Sequence, residues 1–274
     1  MQIRSTGLFI IFLAASMGIF PARASAETVL ITGSNRGIGL EFAKEYAALG
    51  WTVIATHRHS TTPDSLAQLA AKYPQVRVER MDVTDAAQIE ALGRKLKGMP
   101  IDVLLNNAGL VRTDPLDKPG GNTNQIFGTL DYKLLDKFIH TNVAGPLRIC
   151  ETFMENVKAS RQKKIVAISS AAASISLPPF MPNGSPIPDH YWYRISKTAL
   201  NSAMRLVSAQ FKDEGVIVVM FHPGGVRVES FGNLDVPGLE SPQSAIGKMI
   251  KVIDGLTLKD SGRFMDNDGT DHPW

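Results

Sequence analysis

With 274 residues, 44% of them hydrophobic and 20% charged, the chain can bury a substantial core and is too apolar to remain unfolded. Lys plus Arg exceed Asp plus Glu by 29 − 26 = 3, too mild an excess for nucleic-acid binding, and no basic run is interleaved with aromatic residues. Cys150 is the single cysteine, which excludes an internal disulfide, and its helical surroundings are those of a packing residue.

Residues 1–26 carry Arg4, the apolar stretch GLFIIFLAASMGIF (7–20) and the small-residue run ARASA (22–26), the pattern of a secretory leader cut after Ala26. The apolar stretch is short for a spanning helix, so no stable membrane span is expected after cleavage. Cleavage removes Arg4 and Arg23 and no acid, taking the net charge from +3 to 3 − 2 = +1. An exported or periplasmic protein is expected; if Met17 is the true start, only a short tail remains and the protein is cytoplasmic. Residues 27–274 read as one domain, since neither a repeat nor a linker divides them.

From Glu27 onward, short β-branched runs alternate with longer segments of helical period. The runs are ETVLIT (27–32), WTVIAT (51–56), VRVERMDV (76–83), IDVLLNNAG (101–109), KIVAISS (164–170) and VIVVMFHPG (216–224). This alternation predicts an α/β fold: a single Rossmann-like, doubly wound parallel sheet with helices on both faces. The runs are apolar almost throughout, as burial of both sheet faces requires. The basic cluster KASRQKK (158–164) reads as a solvated helix end leading into a strand. Ligands of such sheets bind beyond the carboxyl ends of the strands. The polar motifs stand there: TGSNRGIG after the first strand, MDV after the third, NNAG after the fourth, SS after the fifth and HPGG after the sixth.

In TGSNRGIG, Gly33, Gly37 and Gly39 let the backbone approach a pyrophosphate, and the helix that follows offers unpaired N–H groups. Ser34, Asn35, Arg36 and Ile38 complete this cofactor-binding turn, whose spacing differs from G-x-G-x-x-G but whose strand–turn–helix context is the required one. A carboxylate about 20 positions on would bind the ribose diol of NAD. ATHRHS (55–60) has none, and Arg36 with Arg58 suits a 2′-phosphate instead. NADP is therefore the expected cofactor, with NADPH preferred over NADH. His57 and His59 read as surface residues, and no metal is expected.

HYWYRISKTALN (190–201) places two tyrosines near one lysine. On a helix, Tyr193 and Lys197 are four residues apart and share a face, while Tyr191 diverges. A free phenol has a pKa near ~10. The Lys197 ammonium favours its ionised form, which makes Tyr193 the candidate general acid.

TGSNRGIG, NNAG, Asn142 in HTNVAGPL, AISS and YRISK, in this order, resemble the short-chain dehydrogenase/reductase family over essentially the whole chain after residue 26. YWYRISKTALN and the ending GRFMDNDGTDHPW resemble more narrowly the branch containing the sniffer carbonyl reductase and the C-factor protein. The resemblance implies that Tyr193 is the acid in carbonyl reduction and that Ser170 hydrogen-bonds the substrate oxygen. It further implies that Lys197 holds the nicotinamide ribose while lowering the Tyr193 pKa, and that Asn142 secures a water linking Lys197 to solvent. Ser170 is preferred to Ser169 because the family's serine is usually the second of such a pair; the pleat sends the two to opposite faces. Asp82 and Val83 would contact adenine, Asn106, Ala108 and Gly109 would line the cofactor cleft, and PGGVRVES (223–230) would bring Pro223 and the Val226 backbone to the nicotinamide. Val228 stands where the family commonly has threonine, removing a hydrogen bond worth about 0.5–1.5 kcal/mol.

The interval between Ser170 and Tyr193 is longer than in most members, and its Phe180 and Met181 are expected to form an apolar substrate wall with Phe231 and Leu234. The expected activity is NADP-dependent reduction of a small or medium apolar aldehyde, ketone or quinone. The alternative is an NADP(H)-binding signalling or regulatory protein with little turnover, suggested by the leader and by Val228. A homodimer or homotetramer is expected through the helices at 132–157 and 197–211, through which relatives often associate.

Overall fold

The computed structural model describes residues 26–111, 125, 127–177, 190–228 and 238–274. The leader through residue 25 and the wall residues Phe180, Met181, Phe231 and Leu234 lie outside the described residues. The first half runs β1 (Thr28–Ile31), α1 (Gly37–Ala48), β2 (Thr52–His57), α2 (Asp64–Lys72), β3 (Val76–Arg80), α3 (Ala86–Lys95) and β4 (Val103–Asn106). The second runs α4 (Lys133–Ile139), a π-helical turn (His140–Ala144), α5 (Gly145–Lys158), β5 (Lys164–Ile168), α6 (Tyr191–Phe211), β6 (Ile217–His222), α7 (Pro242–Gly255) and β7 (Phe264–Asp266).

Among the described residues these strands form one seven-stranded sheet in the order β3-β2-β1-β4-β5-β6-β7, parallel at every pairing. The order reverses between β1 and β4, which is the crevice where ligands of open α/β sheets bind. Strand alternation divides the core into two apolar layers. Val29 and Ile31 pack with Phe42 and Tyr46 of α1 and with Ile246 and Met249 of α7. Leu30 and Leu104 face the other way, onto Ile89 of α3, Ile149 and Phe153 of α5 and Met204 of α6. Both faces are thus covered, which explains why these strands carry no polar alternation.

Two features depart from the sequence reading. β7 falls in RFMDND, a three-residue strand too short to stand out as an apolar run. The pattern read as one helix over 132–157 is broken by the π turn, in which each hydrogen bond spans one extra residue. That turn carries Asn142.

Candidate active site

The turn after β1 is shaped by glycine. Gly33 and Gly37 adopt φ of +67° and +54°, in the left-handed region that side chains disfavour. A Cβ at Gly39 would strike the Gly33 carbonyl and the Asn107 amide, so the cradle is closed to any larger residue. No side chain caps α1, which leaves its first N–H groups for another acceptor. A pyrophosphate fits this arrangement, as does the rest of a dinucleotide along the crevice. Arg36, before α1, and Arg58, after β2, are both exposed at the same end of the sheet. Asn35 contacts His59 at 3.5 Å through its side-chain amide and accepts a bond from the Ser65 hydroxyl at its carbonyl. Ile38 is half-buried and packs against the core.

Several expected contacts have other roles. Ser34 is fully buried, its hydroxyl donating to the Ile31 carbonyl and its N–H to the Thr56 carbonyl, so it closes the turn from beneath instead of facing a ligand. Asn106, the last residue of β4, points under the sheet and donates to the Cys150 Sγ at 3.4 Å. Burial pushes that thiol up to about 12, which fits Cys150 as a packing residue. The pleat turns the next residue, Asn107, toward the glycine turn, where its side chain donates to the Thr32 and Gly33 carbonyls. Thr32 Oγ1 in turn accepts from the N–H groups of Asn107 and Ala108, welding β1 to β4. Asn107 and Thr32 are absent from the sequence-based site; their signal was present in NNAG and TGSNRGIG, but only the pairing of β1 with β4 brings it together. His57 is also a correction: its side chain is 4% exposed, because the last residue of β2 still alternates into the fold.

Asp82 follows β3, its carboxylate accepting from the N–H and hydroxyl of Thr84, while Val83 beside it is buried. The Pro223 carbonyl is taken by the Asn267 amide. Val226 lies opposite Glu240 in a parallel bridge that uses Arg227 N–H and the Gly225 carbonyl, which leaves the N–H and C=O of Val226 itself outside the bridge. A Cβ at Gly37 would come to 3.6 Å from Val228, so this valine overhangs the start of α1.

The reactive groups converge at the carboxyl ends of β4 and β5. α6 follows His190, its N-cap, held in the left-handed conformation at φ 70°, and its first turn is fastened where Tyr193 N–H donates to Gln125 Oε1 at 3.2 Å. The helix puts Tyr193 and Lys197 one turn apart, with the Lys197 Nζ 5.9 Å from the Tyr193 ring centre. Tyr191 lies outward, against Phe127. Lys197 is 4% exposed and donates to the Ile168 carbonyl at 2.7 Å. Burial lowers its pKa to about 8.

A Cβ at Gly109 would sit 3.4 Å from the Lys197 Nζ and 3.5 Å from the Asn142 Oδ1, which places all three residues together. Asn142 is fully buried; its Oδ1 accepts from Leu110 N–H, and its amide donates to the Leu110 carbonyl and the Ser196 Oγ. With both amide hydrogens committed, this side chain braces the exit of β4 against α6 and keeps one Oδ1 lone pair for a water. Ser169 is buried and donates to Asn201 Oδ1. Ser170 is half-buried, and its Oγ accepts from Ala172 N–H, so the hydroxyl hydrogen remains to be donated.

A family model described as short chain dehydrogenase matches residues 27–236. An NADPH-bound carbonyl reductase from chicken fatty liver has a similar structure, with a TM-score of 0.78 and 31% identity over 91% of this chain and 99% of its own. The carbonyl reductase Sniffer of D. melanogaster shares the fold, with a TM-score of 0.74 and 23% identity over 91% of this chain and 99% of its own. The C-signal protein of Myxococcus xanthus is 33% identical over 175 residues, 64% of this chain and 93% of its own.

Proposed function

The chain belongs to the short chain dehydrogenase family, and we propose that it works as an NADPH-dependent carbonyl reductase with Tyr193 as its acid, Ser170 as its oxyanion donor and Lys197 as its electrostatic partner. One observation carries the assignment of roles: a buried ammonium, with a single carbonyl to hold it, stands one helical turn from a half-buried phenol beside the glycine crevice. When bound, the cofactor supplies a hydride to the carbonyl carbon and leaves oxidised. The Ser170 hydroxyl donates to the carbonyl oxygen as negative charge develops there. Tyr193 delivers its proton to that oxygen, and the Lys197 cation stabilises the phenolate left behind. Reprotonation proceeds through water at Asn142 and Lys197. Arg36 and Arg58 bind the 2′-phosphate and set the preference for NADPH.

The substrate is a small or medium aldehyde, ketone or quinone with an apolar body. Ile175 and Leu177, exposed apolar residues just past Ser170, support that class. Purified protein is expected to oxidise NADPH with a panel of such carbonyls. Tyr193→Phe should reduce turnover by at least about 10²–10⁴-fold while leaving NADPH affinity within about threefold. Full activity in that variant would remove Tyr193 from its role, and tight NADPH binding by the parent without reduction of any panel member would favour a regulatory protein.

The leader pattern at 7–26 supports export, and the correspondence of α5 and α6 to helices through which relatives often associate supports a homodimer or homotetramer. Among the described residues no helix is long and apolar enough to cross a membrane. N-terminal sequencing of protein from fractionated cells should begin at Glu27 in an exported fraction; Met1 or Met17 in the cytosol would end the export reading. Sedimentation of the same sample as a monomer would end the oligomer reading.

A further inference from the structure

The chain that leaves Ser170 quickly departs from the core: Ala173 is buried in it, and the residues after Ser174 are exposed. A single 3-10 turn, Ala171–Ala173, follows the serine, and beyond it Ile175 is 81% exposed. Hydrogen bonds fix this stretch from two sides. α6 reaches it through Thr198 Oγ1, which donates to the Ala173 carbonyl at 3.0 Å, and through Arg194, which donates to the Ser174 carbonyl. The other side is the segment after β7: the Trp274 main-chain oxygen accepts from Ser176 N–H at 2.6 Å and from Ser174 Oγ at 3.1 Å. Ser174 and Trp274 are 100 residues apart in sequence.

Trp274 can serve as an anchor because its ring is fastened independently. The indole lies against Phe264 of β7, and the Arg205 guanidinium stacks over it at 4.9 Å. The main chain ahead of it is tied by His272, whose N–H donates to the Phe264 carbonyl and whose ring pairs with Asp266 at 2.8 Å. Trp274 is nevertheless 40% exposed, so it contributes less to the core than an interior aromatic. Its connections lead toward the site: Ser174 Oγ, bound to Trp274, also receives Leu177 N–H, and the turn on its other side gives Ser170 Oγ the N–H of Ala172.

We propose that Trp274 is a positioning residue for carbonyl reduction, a clamp that fixes residues 174–177 and, through the turn before them, the direction of the Ser170 hydroxyl. The proposal rests on the carbonyl-reductase reading above. Loss of the indole lets the main-chain oxygen drift, the 174–177 stretch loosens, and the oxyanion donor and the apolar Ile175 and Leu177 lose their set geometry. The glycine turn after β1 and the arginines at the expected 2′-phosphate site, in the other half of the sheet, are untouched.

Amide hydrogen exchange and kinetics on the full chain test this together. In Trp274→Ala, exchange at Ser176 and Leu177 should accelerate at least about tenfold, with exchange in β1 and α1 unchanged. NADPH reduction of the best carbonyl should fall about tenfold in kcat/KM, with the NADPH Kd within about twofold, and Trp274→Phe should recover most of the loss. Combining Trp274→Ala with Ser174→Ala should cost little more than either change alone, because both break one linkage. Unchanged exchange at Ser176 overturns the clamp. Faster exchange with unchanged kcat/KM overturns its bearing on the site. Faster exchange throughout the chain, or a weakened NADPH Kd, makes Trp274 a general stability element and overturns the proposal as well. If the parent reduces no carbonyl, the functional reading fails and the positioning role falls with it, while the exchange data still decide whether the clamp exists.

Discussion

Two buried ammonium groups meet opposite ends of the same strand. Lys164 is the first residue of β5 and Lys197 bonds the carbonyl of its last, Ile168; each is 4% exposed. Lys164 donates to Gln162 Oε1 at 2.7 Å and to the Asp254 carbonyl at 2.9 Å, and the carboxylates of Asp254, Glu27 and Asp102 oppose the lowering of its pKa by burial. Lys197 has one carbonyl and no such opposition, so burial alone brings it to about 8. The amino end of the sheet has provided for its cation. The carboxyl end holds a charge that, in the proposed mechanism, meets its partner in the phenolate formed during reaction, which is what a preorganised site requires.

The widest separation between the two lysines should appear in turnover. Lys197→Met is expected to lower kcat/KM for NADPH-driven carbonyl reduction by about 10²–10⁴-fold, the range of an acid–base partner. Steady-state assays showing a loss under about threefold would break the comparison.

Stability should move in the opposite direction. The Lys197 pKa of about 8 lies below the ordinary 10.5, so between these values the unfolded chain binds more protons than the folded one and this residue's contribution to stability rises with pH. Below pH 8 its burial costs the fold on the order of 3 kcal/mol, at about 1.4 kcal/mol per pKa unit, and the cost fades toward pH 10.5. Lys197→Met should therefore be more stable than the parent in denaturant titrations at pH 7, by an amount that shrinks through pH 8–10.5. A variant less stable than the parent at pH 7 would contradict this. Lys164→Met should give the smallest functional effect, with turnover within about twofold, and a loss of stability of about 1–3 kcal/mol from the partners it leaves unpaired.

The same two residues show how far the sequence could be read. β-branched runs separated by helical period specify a parallel sheet, and only three-residue β7 escaped that pattern. The spacing of Tyr193 and Lys197 identified their shared face because a single helix fixes it. Lys164 looked like part of a solvated basic cluster because nothing in KASRQKK announces that Asp254, 90 residues on, folds over it. Gln125 beneath Tyr193 and Ser196 beside Asn142 escaped for the same reason: their partners are set by tertiary approach. Asn107, and not the expected Asn106, faces the glycine turn because NNAG alone does not say which way the pleat points. Motif and periodicity thus located the crevice, while the bonds that stiffen it had to await the structure.

The π turn at His140–Ala144 has one more consequence, for the lengths of chain that natural variation can reach here. It amounts to one surplus residue absorbed inside a continuous helix. Deleting one residue within His140–Ala144 would let the helix return to regular pitch with its two halves still aligned. Phe138 and Phe153, both fully buried, would keep facing the core, while Asn142 would lose its place against Leu110. Loss of one residue here should consequently spare the fold while it abolishes the bonds of Asn142.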